Sequence, residues 1–306
     1  MTKGPETEIL AVGIPLIKDE RMSRHTTMRV GGEASYYVRP KNVRELLLVL
    51  RIFGEASVPR RIFGGGSNLI VGDSGVDAAV ISFSGSVDEP EISGDLVTAE
   101  ASIALPFLLR CTAANGFSGL EFLAGVPGTL GGALRMNAGT RTEWIGARVE
   151  SVQVLRPSGK TATLEKRDLS FGYRASPFGK NDILLSACLR LQLSSAENVR
   201  NAIRKRLENK RKTQPVQKKS AGCIFKNPEG VSAGELIESA GLKSFSCGGA
   251  TVSDLHANFI INRGDATASD VIYLIDYIKD KVWNKTGIRL QEEVVLWDEK
   301  IFSRGA

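Results

Sequence analysis

Two glycine-rich stretches could offer their backbone to a ligand. Gly64-Gly65-Gly66-Ser67-Asn68 follows a predicted strand that ends at Phe63. Gly125-Val126-Pro127-Gly128-Thr129-Leu130-Gly131-Gly132 runs on towards Asn137-Ala138-Gly139. Glycine lets N–H groups approach a phosphate closely, and Ser67 and Asn68 add side-chain donors. Neither stretch is a GxGxxG or a Walker loop, because no GK[ST] follows. Either one alone reads equally well as a tight turn. Two of them flanking strands predict a dinucleotide clamp. Its candidate contacts are Gly64, Gly65, Gly66, Ser67, Asn68, Pro127, Gly128, Thr129, Gly131, Gly132, Asn137, Ala138 and Gly139.

Three further segments carry side chains with chemistry. In Phe171-Gly172-Tyr173-Arg174 an arginine beside a tyrosine can grip a carboxylate or phosphate through forked hydrogen bonds, although an isolated Tyr-Arg reads as a surface ion pair. Ser220-Ala221-Gly222-Cys223-Ile224-Phe225-Lys226-Asn227-Pro228 sets a thiol after two small residues and ahead of two polar side chains. A lone cysteine is more often a small core residue. Gln291-Glu292-Glu293-Val294 places a carboxylate beside the last predicted strand, where the bland alternative is an exposed charge.

The chain that must position these groups has 306 residues, 42% of them hydrophobic and 24% charged. That suits two or three packed units and argues against disorder. A net charge of +6 is compatible with an anionic ligand and identifies none. No apolar run approaches the ~20 residues needed to span a bilayer. The first residues lack the pattern of a signal peptide. A cytoplasmic protein without membrane insertion is therefore expected. The four cysteines include no CxxC pair, which points to reduced thiols and away from zinc. With two histidines only, His25 and His256, a His-based triad or a multi-histidine metal site is disfavoured.

Periodicity predicts strands at 34–38, 61–63, 80–81, 96–101, 149–155, 183–193, 257–261 and 294–296. It predicts helices from Val43 to Leu50 and over 104–115, the second closed by Gly116. Capping boxes are expected at Ser194/Glu197, Ser232/Glu235 and Thr267/Asp270. The first opens a basic helix bearing Val199, Ile203 and Leu207 on one face. Without interleaved aromatics its cations read as a solvated surface and not as a nucleic-acid site. Helix and strand alternate without a βαβ rhythm, so the fold class is α+β with a boundary near 194–215.

Taken in order, these segments resemble the UDP-N-acetylenolpyruvoylglucosamine reductase family. The match includes HTTMRVGGEA at 25–34, FGGGSNLIVGD at 63–73, LEFLAGVPGTLGGALRMNAG at 120–139 and SFGYR at 170–174. It continues with SAGCIFKNP at 220–228, AGELIESAGLK at 233–243, HANFIIN at 256–262 and LQEEV at 290–294. Each segment is modest alone, and the ordered set is specific. The resemblance implies a flavoprotein of the vanillyl-alcohol-oxidase type, of the shorter second type. Two FAD-binding subdomains, 20–86 and 87–194, would precede a substrate-binding domain at 195–306.

The resemblance also implies non-covalent FAD, NADPH as reductant and a UDP-sugar enolpyruvyl ether as substrate, in a protein favoured as a monomer. Arg174 matches the family's catalytic arginine and Glu293 its catalytic glutamate. Cys223 stands where the family usually carries a proton-donating serine, and His25 where it more often carries Asn. Tyr173, Lys226 and Asn227 fall at substrate contacts, and Lys219 or Lys226 would receive the diphosphate. Glu293 would either orient Arg174 or hydrogen-bond the enolic carboxyl. Three rival readings stay open: another flavoenzyme of the same superfamily, a flavin-free Rossmann dehydrogenase, and a non-catalytic nucleotide-sugar binder.

Overall fold

The structure is a computed structural model, and it describes residues 4–84 and 88–297. The chain divides into two compact units, each assembled from separated stretches. The first takes Met1–Leu16, Val38–Gly65 and Val80–Asn209; the second takes Ile17–Tyr37, Gly66–Ala79 and Lys210–Ala306. Both mix helix and sheet, in keeping with the α+β expectation. The boundary expected after residue 86 lies outside the described residues.

The first unit is built on a five-stranded antiparallel sheet. Its strands lie in the order Thr161–Glu165, Val149–Leu155, Ile183–Arg190, Leu96–Glu100, Glu91–Ser93. Val149, Val152, Val154 and Leu155 are buried, and Leu184, Leu185, Ala187 and Leu189 are buried beside them. Helices α1 (Pro5–Ala11), α2 (Val43–Glu55), α3 (Leu105–Ala114) and α4 (Leu130–Arg135) belong to this unit. In α2, Asn42 caps the first turn by accepting from the Glu45 amide, and Leu46, Val49, Ile52 and Phe53 are buried. α4 packs on the strands at 183–190 and 96–100.

Sequence periodicity predicts one strand over 183–193, and the structure corrects this. The strand stops at Arg190, the Leu191 amide turns to the Asp95 carbonyl, and Gln192–Leu193 pairs with Phe117–Ser118. The Ser194 amide then bonds to the Gly116 carbonyl. Ser194 is thereby held in that pairing, and the cap shifts by one residue. Ser195 accepts from the Asn198 amide at 3.1 Å and opens α5 (Ala196–Thr213). The change of unit between Asn209 and Lys210 falls inside this helix.

The second unit has α6 (Ala233–Ser239), α7 (Ala268–Thr286) and an antiparallel sheet of Ser246–Cys247, Ala250–Val252 and Ile260–Asn262. α7 carries the expected reciprocal box: Thr267 accepts from the Asp270 amide, and Asp270 accepts from the Thr267 amide. It ends at left-handed Gly287. Val271, Leu274, Ile275, Ile278 and Val282 form its inner face, packed with Met28, Val30, Ile70, Phe225 and Ile260 in one core. Val295–Trp297 pairs in parallel with Leu69–Val71. Among the described residues no helix is long and apolar enough to cross a membrane.

Two further expectations are corrected in this unit. The box at Ser232/Glu235 is absent, because the Ser232 side chain makes no capping bond. Asn227 does the work instead, its Oδ1 accepting from the Ala233 amide at 2.9 Å. The strand expected from Ala257 begins only at Ile260. Ser253 Oγ accepts from the Leu255 and His256 amides, which turns the chain before that point.

Candidate active site

In the first unit Gly64 and Gly65 lie against Gly128 and Thr129. A Cβ on Gly65 would sit 2.8 Å from the Gly128 Cα, and one on Gly64 would sit 2.3 Å from the Thr129 Oγ1. Only glycine permits this approach. Among the described residues, the amides of Gly64, Gly65, Gly128 and Thr129 donate to no protein group. Four backbone donors gathered without acceptors suit a diphosphate, which is the fit an FAD requires.

Other members of the same motifs are already committed. The Gly131 amide donates to the Ala101 carbonyl at 2.8 Å, and a Cβ there would meet the Ala101 Cβ at 3.0 Å. The Gly132 amide donates to Thr129 Oγ1, and the Ala138 amide to the Ala133 carbonyl. These glycines and alanine shape the turn.

Tyr173 and Arg174 form the tip of a two-residue hairpin, closed by paired bonds of 3.1 Å between Gly172 and Ala175. Arg174 has φ 51°, in the left-handed region that non-glycine residues avoid. Such strain persists only where its surroundings enforce it. Here the Asn137 Nδ2 donates to the Gly172 carbonyl at 2.7 Å, and the Arg174 Nη1 donates to the Gly139 carbonyl at 3.3 Å. The Arg174 guanidinium also lies 5.4 Å from the centre of the half-exposed Tyr173 ring.

Downstream, Arg135 holds the loop that follows. Its guanidinium donates to the carbonyls of Phe178, Gly179 and Asp182. Burial pushes the Arg135 guanidinium below its ordinary value, with Asp182 opposing. The sequence carried Arg135 inside a quoted motif and gave it no role.

The second unit brings Cys223 and Glu293 onto neighbouring paired segments. Glu293 N–H donates to the Ile224 carbonyl at 2.8 Å, Lys226 N–H donates to the Gln291 carbonyl at 2.8 Å, and Phe225 bridges Glu292. On its other side Cys223 bridges Phe259, next to left-handed Gly222. Asn258 pins this stretch. Its Oδ1 accepts from the Phe225 amide at 2.9 Å, its Nδ2 donates to the Phe225 carbonyl at 2.8 Å, and its own carbonyl accepts from the Ile224 amide. Nothing in the sequence except membership of HANFIIN pointed to Asn258.

Of the two adjacent glutamates, Glu292 is paired with Lys279 at 2.6 Å. Asn68 donates to the Glu293 carbonyl at 3.0 Å, so at least one of its donors serves the protein. Gly66, with φ 63°, lies so close to the His25 carbonyl that a Cβ would sit 2.2 Å from it. His25 stacks on Tyr37 at 3.9 Å, and its Nε2 meets the buried Glu20 at 2.8 Å. His256 is pushed down by burial, and its Nδ1 accepts from the Asn258 amide at 3.3 Å, which leaves the ring proton on Nε2. Asn227 caps α6 as described, and Lys226 is half-buried beside it.

The four cysteines form no disulfide. Among the described residues no group of three or more His, Cys, Asp or Glu could hold a metal ion.

Comparison with known proteins gives these features a context. Residues 214–297 match the family described as UDP-N-acetylenolpyruvoylglucosamine reductase, C-terminal domain, and residues 34–165 match an FAD binding domain. The chain is 38% identical over 296 residues to the UDP-N-acetylenolpyruvoylglucosamine reductase of Anoxybacillus flavithermus, covering 96% of this chain and 98% of the relative. It is 40% identical over 286 residues to that of Moorella thermoacetica, covering 94% of each. The crystal structure of UDP-N-acetylenolpyruvylglucosamine reductase from Thermus caldophilus is similar with a TM-score of 0.78 at 34% identity, over 93% of this chain and 99% of that one.

Proposed function

Since the chain belongs to the UDP-N-acetylenolpyruvoylglucosamine reductase family, we propose that it reduces UDP-N-acetylglucosamine enolpyruvate to UDP-N-acetylmuramate in peptidoglycan synthesis. It is a flavin-dependent oxidoreductase, a UDP-N-acetylmuramate dehydrogenase, with FAD as cofactor and NADPH as reductant. A FAD held at its diphosphate by the backbone amides of Gly64, Gly65, Gly128 and Thr129 would supply the hydride chemistry that reduction of an enol ether needs.

The chain's own residues handle the charge and the proton. As hydride arrives, negative charge builds on the α carbon and its carboxylate. Arg174, always cationic, meets that charge with a planar fork of donors. Glu293 either orients Arg174 or, held protonated, donates a hydrogen bond to the enolic carboxyl. The Cys223 thiol delivers the proton to the α carbon in place of a hydroxyl. The amides of Gly64, Gly65, Gly128 and Thr129 hold the cofactor diphosphate without a covalent link. Tyr173, Lys226 and Asn227 face the substrate, and Lys219 or Lys226 meets its diphosphate. The finer plan has two FAD-binding subdomains, 20–86 and 87–194, and a substrate domain, 195–306, in a cytoplasmic monomer.

One observation carries the assignment of roles: Cys223 and Glu293 sit on segments bonded side by side, with the Glu293 amide on the carbonyl next to Cys223. The purified protein should carry flavin that NADPH bleaches and the enolpyruvyl substrate restores. Cys223→Ser should retain that restoration. Cys223→Ala should keep bleaching near the parent rate and slow restoration at least ~100-fold, the lower range for a general acid. Flavin that substrate never reoxidises would reject the activity. An alanine variant as fast as the parent would reject only the thiol's role.

A further inference from the structure

Asn137 stands in a glycine-rich motif where a cofactor contact is the natural expectation, yet its side chain is spent inside the protein. The residue is 4% exposed. Its Nδ2 donates to the Gly172 carbonyl at 2.7 Å, and its Oδ1 accepts from the Gly146 amide at 3.0 Å. Its backbone is itself left-handed, with φ 43°, which turns the chain so that the Gly139 carbonyl receives the Arg174 guanidinium. One short stretch therefore grips the Arg174 hairpin twice, at its base through Gly172 and at its tip through the guanidinium.

The grip matters because the hairpin carries a strained residue at its tip. Its two closing bonds span only four residues, and Arg174 occupies a conformation that disfavours side chains. Asn137 is anchored in turn by Gly146, where there is no room for a larger residue. A Cβ on Gly146 would lie 2.4 Å from the Phe171 Cγ and 2.8 Å from the Asn137 Oδ1. Asparagine is the side chain this task needs, since it must donate to one carbonyl and accept from one amide across a fixed span. Aspartate has no N–H to give Gly172, and glutamine is one methylene too long.

We infer that Asn137 is a positioning residue for the reaction, acting through Arg174 by holding the 172–175 hairpin, and that its side chain is not a cofactor contact. This rests on the reading of Arg174 as the group that meets the developing charge. The expected signature is selective. Misplacing a stabilising charge by an ångström slows the step it serves by up to about 100-fold. Flavin reduction by NADPH makes no demand on Arg174 and should change little.

The test uses the FAD-loaded enzyme and rapid mixing of each half-reaction. Asn137→Asp should slow reoxidation of reduced flavin by the enolpyruvyl substrate by roughly 10- to 100-fold, with NADPH reduction within about twofold of the parent and FAD content unchanged. In an Arg174→Lys background the same change should add less than about twofold, because the two act as one unit. Gly146→Ala, which leaves Asn137 in place and crowds its anchor, should reproduce the selective slowing. Equal slowing of both half-reactions, loss of FAD from both variants, or effects that multiply in the double variant would overturn the inference. Failure of Asn137→Asp and Gly146→Ala to fold would also overturn it, since the clamp would then serve the fold. If Arg174→Lys alone leaves substrate reoxidation intact, it is the role of Arg174 that fails.

Discussion

Replacing Asn258 with leucine tests the pin beneath Cys223. Asn258 is 2% exposed and Phe225 1% exposed, so the two groups it serves lie out of water. The substitution keeps the branched shape of the side chain and removes both bonds, at 2.9 Å to the Phe225 amide and 2.8 Å to its carbonyl. Each backbone group left buried without a partner costs about 1–3 kcal/mol, so the loss is roughly 2–6 kcal/mol. Near the middle of that range the unfolding midpoint should drop by roughly 8–16 °C for a unit of this size. Far-ultraviolet circular dichroism against temperature, on flavin-loaded and flavin-stripped protein, reads the change. A fall of less than about 4 °C, equivalent to ~1 kcal/mol, would refute the reasoning. Asn258 would then be a dispensable contact, and the pairing with Ile224 and Glu293 would fix the segment unaided.

Two more outcomes follow from the geometry. Gly65→Ala places a Cβ 2.8 Å from the Gly128 Cα, against backbone that cannot swing aside; FAD affinity should fall at least about tenfold, measured by flavin release on dilution. Asp270→Asn removes a carboxylate held below its usual range chiefly by the Thr267 amide. A depressed carboxylate stabilises the fold above its unfolded value near ~3.9. The advantage of the parent, about 1 kcal/mol for a cap, should therefore persist at neutral pH and shrink as pH falls through the folded value below that point. Unfolding midpoints at stepped pH would show a pH-independent gap if the charge of the carboxylate contributes nothing.

Local rules were readable in the sequence and non-local ones were not. The Thr267/Asp270 box needs no information beyond α7 itself, and it appears as expected. Ser194 and Ser232 satisfy the same local pattern and fail: the Ser194 amide is engaged by the Gly116 carbonyl, the Ser232 side chain makes no capping bond, and the first amide of that helix, Ala233, is served from outside it by Asn227. The strand at 183–193 ends early for a like reason, the Asp95 carbonyl taking the Leu191 amide.

Motif order nominated Arg174, Cys223 and Glu293 as candidates. It could not separate glycines with open amides, such as Gly65 and Gly128, from Gly131, whose amide is taken by Ala101. Nor could it reveal the left-handed Arg174, since φ is set by Asn137 and Gly139, some 35 residues away in the chain. Asn258 was invisible for the same reason: its partner lies 33 residues upstream.

The scattered makeup of the second unit has a consequence for how the protein is made. Thr27 donates to the Ser220 carbonyl across 193 residues, and Asn262 donates to the Met28 carbonyl across 234. Met28, Val30 and Ile70 complete a core whose remaining members come from residues 221–294. On a ribosome adding ~5–20 residues per second, the early strands leave the tunnel roughly 10–50 s before their partners exist. During that interval Met28 and Val30 are exposed apolar groups, the state in which nascent chains attract chaperones or one another. The same logic holds for a fragment beginning near residue 210. It would carry Cys223, Glu293 and α7 and lack the three side chains that close its core, so it should be poorly soluble until the stretches 17–37 and 66–79 are supplied.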